Sequence, residues 1–295
     1  MILCKQHYLK IVTTTSFLLI FTVNSKASED ISPPKTGNFI LPVSQQPAPL
    51  IGFGENIIDK NEKVFYLFAD DLVGNQKHLT EVAFTALYGI SENVALLLYI
   101  PYATSFKMNQ KKSKGITDSD VQLEYAFYNK STFQYVDQAT IVTNVSFPTG
   151  SIHKNPPTGF GSPSFFLGAT YNRTYSDWFY FGSPGVQLTS SKDNTQDGNN
   201  YLYQLGLGKN MFDHKGWIFA WMTEFDGIYS QKNRIQGVMD PNSGGNVIYI
   251  TPSFWASSKE FLLQLGVGFP VVQDLYGTQP KSYYLLVANL AWSFY

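Results

Sequence analysis

The stretch Tyr284-Leu285-Leu286-Val287-Ala288-Asn289-Leu290-Ala291-Trp292-Ser293-Phe294-Tyr295 decides the fold class. Side chains of a β-strand alternate between two faces. Here Tyr284, Leu286, Ala288, Leu290, Trp292 and Phe294 share one face, and Leu285, Val287, Asn289, Ala291 and Ser293 share the other. The first face is apolar along its length and carries aromatic rings at both ends. A strand crossing a bilayer has this pattern, because its lipid side meets an aromatic girdle at each interface. A core-facing strand of a soluble sandwich would alternate in the same way, so the rest of the chain must decide.

Composition agrees with a lipid-facing sheet. Charged residues make up 15% of the 295 residues, against about 25% in an average soluble domain. There are 23 Phe and 19 Tyr. The mean hydropathy of -0.12 excludes a bundle of membrane helices, each of which needs about 20 consecutive apolar residues. The only long apolar run, Ile11 to Val23, follows Lys5 and Lys10 and precedes the small-x-small site Ser25-Lys26-Ala27. Residues 1–27 therefore read as a signal peptide. Its removal takes away Cys4, the only cysteine, and three lysines, moving the formal charge from -1 to -4. No disulfide or cysteine-based metal site remains. With only Arg173 and Arg234 as arginines, nucleic-acid binding is not expected.

Residues 28–62 hold Pro33, Pro34, Pro42, Pro47 and Pro49 and read as an extended periplasmic lead-in, with a small plug inside a barrel as the alternative. From residue 63 the period is close to two. Twelve strands are predicted, near 63–71, 78–90, 93–102, 117–128, 132–147, 163–173, 178–189, 200–209, 216–228, 246–256, 260–270 and 282–295. Connections after even-numbered strands are short, and those after odd-numbered strands are mostly long and polar. Transmembrane barrels pair short periplasmic turns with long outer loops, whereas a sandwich has no reason to. The expected fold is all-β: one transmembrane antiparallel barrel of about twelve strands over residues 63–295, with ten or fourteen as the range.

The ending Trp292, Phe294, Tyr295 resembles the C-terminal signal by which outer-membrane barrels are recognised for assembly, with Tyr295 one residue out of register. Longer phrases carry a further resemblance. They are Leu87-Tyr88-Gly89-Ile90-Ser91-Glu92-Asn93, Tyr99-Ile100-Pro101-Tyr102, Gly115-Ile116-Thr117-Asp118-Ser119-Asp120 and Phe147-Pro148-Thr149-Gly150-Ser151. In this order they resemble the meta-pathway phenol-degradation-like family of outer-membrane barrels. That resemblance implies a barrel linked with catabolism of hydrophobic compounds and their passage across the membrane. It lends no catalytic residues.

Chemistry-bearing motifs are sparse. His78, His153 and His214 lie far apart in or beside connections, without metal-ligand spacing, and no cofactor or metal is expected. His78 with Asp70 and Asp71 at the outer rim is the one pairing suited to hydrolysis. Asp193, Asn194, Asp197, Gly198 and Asn199 form an oxygen-rich loop without the EF-hand spacing. Lys107, Lys111, Lys112 and Lys114 suit contact with lipopolysaccharide. If Val82, Val121, Trp217 and Phe261 start lipid faces, the lumen receives Glu81, Glu124, Asn144, Gln204, Glu224, Asp226, Gln264 and Asn289. The expected role is a passive channel or transporter for a small molecule, hydrophobic and aromatic ones included. A closed structural or adhesive barrel and a barrel hydrolase are the alternatives. Expected partners are outer-membrane lipid and lipopolysaccharide, the barrel assembly machinery and a small-molecule solute.

Overall fold

The computed structural model describes residues 32–54 and 56–294. The signal peptide read over 1–27 and the terminal Tyr295 lie outside the described residues. Twelve strands close a barrel: β1 (Lys63–Gly74), β2 (Lys77–Ser91), β3 (Val94–Met108), β4 (Ser119–Ser131), β5 (Tyr135–Phe147), β6 (Ser164–Tyr175), β7 (Trp178–Thr189), β8 (Asn200–His214), β9 (Trp217–Ser230), β10 (Gly245–Ser257), β11 (Phe261–Leu275) and β12 (Ser282–Phe294). Each pairs antiparallel with its neighbours in sequence. The terminal strands seal the ring in register from Lys63 opposite Phe294 to Val73 opposite Tyr284, with an irregularity before Gly74 opposite Ser282. A closed ladder is what a bilayer demands, since an open edge would strand backbone amides in hydrocarbon.

Two strands run further than the apolar alternation predicts, β3 at its outer end and β8 at its inner end. β3 ends at Met108, and β8 continues to His214. Beyond the membrane both faces of a strand meet water, so alternation fades while the backbone ladder continues. For the same reason Lys111–Ile116, expected as loop, folds back on β3 from Met108 opposite Lys111 to Tyr102 opposite Ile116. The turn between β8 and β9 is Lys215-Gly216, with φ of 49° and 81°, the doubly left-handed geometry that matches strand twist in a hairpin.

The outer face is an apolar belt. Leu205 is 63% exposed, Phe84 48% and Leu265 46%. A continuous surface of this kind cannot persist in water. On β12, Leu286, Trp292 and Phe294 are exposed, and Val287, Asn289, Ala291 and Ser293 are buried. Phe212, Phe219, Trp217, Phe261 and Trp292 run ring against ring across four strands at the inner rim, with centroids 4.7–6.4 Å apart. Phe294 continues the girdle to Phe65 at 5.8 Å.

Two outcomes are expected. Unheated protein migrates differently from heated protein on electrophoresis. Phe294→Ala lowers the urea-unfolding free energy in lipid vesicles by about 1–3 kcal/mol, the scale for losing a buried aromatic side chain. Identical migration, or an unchanged unfolding midpoint, would contradict this picture of the belt.

Candidate functional site: the lumen

The inward faces follow from register. Glu124, Gln204, Glu224, Asp226, Gln264 and Asn289 are all buried, while Glu81 and Asn144 are half-buried. What buries most of them is the chain's own N-terminal segment. Residues expected as a periplasmic lead-in instead turn into the barrel as a finger, so the plug alternative describes the structure. The segment enters at the inner rim, where the Asn38 amide donates to the Ser176 carbonyl at 2.8 Å and its side chain to the Tyr175 carbonyl at 3.0 Å. It rises past mid-barrel, turns near Phe53-Gly54 and descends to β1.

The sequence explains why this segment lies inside. Leu41, Leu50, Ile57 and Ile58 are each at most 6% exposed. The apolar bulk of Leu50, Ile57 and Ile58 packs against inward residues such as Val64, Phe179, Phe181 and Met222. The proline-rich run lacks several N–H donors that would otherwise need partners in the lumen. The donors that remain find acceptors on the wall. Glu224 accepts from the amides of Leu50, Ile51 and Gly52 at 2.7, 3.1 and 3.0 Å. Gln204 accepts from the Phe53 amide at 3.1 Å. Glu124 accepts from the Asn56 amide at 3.0 Å, from its side chain at 2.5 Å and from Gln122 at 2.8 Å. Gln264 donates to the Ala48 carbonyl at 3.2 Å and accepts from Asn289 at 2.7 Å.

The finger tip is seated by shape as well. The Phe53 ring meets Phe166 edge-on at 4.6 Å. It fills the space over Gly168, where a Cβ would come within 2.4 Å of the ring. Gly54 has φ of +89°, and a Cβ there would strike the Thr170 methyl at 2.2 Å. Only glycine allows that turn so close to the wall.

The base of the finger is fixed by Glu62, which sequence reasoning missed because it falls in the lead-in. Glu62 accepts from Ser44 at 2.6 Å, from the Asp59 amide at 3.1 Å and from Ser293 of the closing strand. Burial, then the nearby Glu62 and Glu92 carboxylates, hold Asp59 above the usual carboxylate range. Asp70 and Asp120 were also missed as lumenal groups. Strand parity was the available signal: Asp70 falls in step with buried Val64, and Asp120 with buried Glu124.

The finger leaves space at successive depths. A cavity of about 440 Å³ opens among the outer loops, lined by residues such as Lys77, Gln187, Asn200 and Gln273. A chamber of about 330 Å³ lies below it, between the finger and the wall formed by β1–β5 and β10–β12. A third space of about 380 Å³ lies at the inner rim against Pro33, Lys35 and Phe39. Val43, Gln46 and Ala48 line both the chamber and the inner space.

The remaining sequence candidates lie elsewhere. His78 and Asp71 do meet, at 2.7 Å, but on the outward face of β1 and β2. Thr80 approaches the same His78 nitrogen that Asp71 holds, at 3.3 Å. A hydrolytic relay needs its acid and its hydroxyl on opposite ring nitrogens, so this cluster is not one. Asp193 and Asn194 sit in a left-handed turn closed by the Lys192–Thr195 bridge. Among the described residues, no group of three or more His, Cys, Asp or Glu is arranged to hold a metal ion. Asp197 of this loop is raised above its ordinary range, first by burial and then by Asp118.

Known structures share the architecture. An outer-membrane channel from Pseudomonas putida F1 superposes with a TM-score of 0.65 at 13% identity, over 84% of this chain and 99% of that one. The fold is that of a bacterial outer-membrane β-barrel. Weaker likenesses include the porin NanC, with a TM-score of 0.48 at 10% identity over 77% of this chain and 98% of that one. The β-domain of the Bordetella autotransporter BrkA gives 0.45 at 11% identity, over 80% and 100%. No family model and no curated protein matches the chain. With its apolar belt and inner-rim girdle, the barrel resides in the outer membrane.

Replacing Glu224 by Ala leaves three buried amides without their acceptor, at about 1–3 kcal/mol for each unsatisfied group. Hydrogen exchange of the Leu50–Gly52 amides should then accelerate at least tenfold while the strand amides stay protected. Unchanged exchange would show that the carboxylate does not hold the tip.

Proposed function

We propose that the protein is a passive outer-membrane channel for a small molecule with apolar character, and that the finger sets its narrowest point. The supporting observation is the set of spaces at successive depths, with the chamber and the inner space separated only by the finger. A barrel serving only as a scaffold has no need of a ligand-sized chamber behind a folded-in segment. The chamber is near the lower end of the range for small-molecule sites, about 300–1,000 Å³. Resemblance to the phenol-degradation-like family supports a hydrophobic or aromatic solute.

The wall adds support for apolar character. β11 and β12 pair only as far out as Gly268 opposite Leu285. Above that point β12 is laddered to β1, and Gln273 reaches Ser282 by side chain at 2.9 Å. An apolar groove of about 650 Å³ lies on the membrane side of this region, lined by Phe254, Leu265, Leu286 and Ala288. Asp70 and Val287 line both that groove and the chamber. A groove beside the outer end of that ladder suits an apolar molecule that leaves toward lipid.

The test is single-channel conductance in planar bilayers, with wild type beside a variant whose residues 46–56 are replaced by a short Gly-Ser linker. Small openings are expected for wild type and several-fold larger ones for the variant. Silence from both, together with no solute flux into liposomes, would leave a structural or adhesive barrel as the better description.

A further inference from the structure

The short strand Lys111–Ile116, folded back on β3, sorts the lysines of the outer rim by face. Residues directly opposite in an antiparallel pair share a face. His78 is opposite Lys107, and Lys107 is opposite Lys112, so the three stand in one row across β2, β3 and the short strand. The row faces outward, because His78 falls in step with exposed Phe84 along β2. Alternation puts Lys114 and Ile116 on the same side as Lys112. All three are exposed, whereas Ser113 and Gly115 between them are more covered. Lys111 turns the other way: it is opposite Met108, which lines the cavity among the outer loops. Of the four lysines grouped in the sequence, only Lys111 is therefore on the lumen side.

Among the described residues the three outward lysines have no acid partner: the ion pairs found are His78–Asp71 and Arg173–Asp137. Asp118, which follows the short strand, accepts instead from the Gly150 and Phe160 amides at 2.9 and 2.8 Å. Lys107 and Lys112 are directly opposite, an arrangement that repels unless a negative charge compensates it. The Lys154 amine donates to the Lys114 carbonyl at 2.6 Å, which pins this edge and adds a further positive charge. Just below the row the same surface is apolar. Tyr102 and Ile116, opposite each other, are 42% and 49% exposed. At about 3.3 Å per residue, Lys114 lies about 7 Å and Lys112 about 13 Å along the strand beyond Ile116. The headgroup layer of a leaflet is about 5–8 Å deep. A lysine stem can lie along apolar surface while its amine reaches that layer. One continuous patch thus offers acyl-chain contact below and anion contact above.

We propose that Lys107, Lys112 and Lys114 bind the phosphate groups of lipopolysaccharide in the outer leaflet, with its acyl chains against Tyr102 and Ile116. A lipid phosphate fits this place better than a soluble anion, because the cations border a lipid-facing surface and not a cavity. The inference is independent of the channel reading. It rests on the membrane location and on the register of β2, β3 and the short strand.

The experiment measures binding of fluorescent diphosphoryl lipid A, and of its monophosphoryl form, to the full mature chain in a neutral detergent by fluorescence anisotropy. A lysine beside an anionic lipid surface contributes about fivefold in affinity. The triple variant Lys107→Gln/Lys112→Gln/Lys114→Gln should therefore bind the diphosphoryl lipid about a hundredfold more weakly than wild type. Lys111→Gln should bind it as wild type does. The monophosphoryl lipid should bind wild type more weakly, and excess inorganic phosphate should not displace the diphosphoryl form. Unchanged affinity in a triple variant that folds, as judged by heat-modifiable migration, would overturn the proposal. So would an equal loss in Lys111→Gln, which would point to the overall charge of the loop and not to a site. Displacement by inorganic phosphate would make this a soluble-anion site and count against the lipid. If the triple variant fails to fold, the single Lys112→Gln, expected to lose about fivefold, and the two lipids on wild type still decide.

Discussion

A backbone amide in hydrocarbon has no water to fall back on, and that constraint shapes every level of this molecule. It forces the sheet to close, which places β1 beside β12 although they lie at opposite ends of the barrel sequence. Closure then fixes strand parity, because one face of each strand must tolerate lipid. Parity in turn sends Glu124, Gln204, Glu224 and Gln264 into a confined interior. Nothing about the chemistry of the lumen is chosen independently of that first requirement.

Confinement raises a second demand, since acids held away from bulk water need donors. Basic side chains would be the obvious solution, yet the finger supplies backbone amides instead. Three consecutive N–H groups on Glu224 form a small anion cradle. The relation is mutual: the finger lacks a regular ladder of its own, and the wall acids satisfy its donors. Either component alone would leave polar groups stranded, so finger and wall behave as one hydrogen-bonded unit.

The barrel was legible because lipid enforces a period of two over long stretches. The Tyr284–Phe294 face and the twelve strands follow from that period, and loop lengths supply the orientation. Where lipid ceases to act, the pattern loses meaning, which is why β3, β8 and the Lys111–Ile116 hairpin extend past their expected ends. The finger was hidden for a different reason. Its placement depends on partners such as Glu224 and Ser257, and an irregular segment carries no periodic mark of what it will touch. Glu62 and Asp70 were overlooked because each sits at an element boundary or beside a second acid, where parity is easy to misjudge.

The finger's anchors also impose an order of events. Leu50 bonds to a residue 174 positions later, Gln45 to one 212 positions later, and Glu62 to one 231 positions later. Those partners belong to β9, β10 and β12, which are synthesised well after the finger. The finger therefore cannot reach its final place until β12 has been delivered. Contacts of such long sequence separation form late because loop closure must precede them. Until then the segment lacks the wall groups that hold it, so its insertion must follow closure of the cylinder.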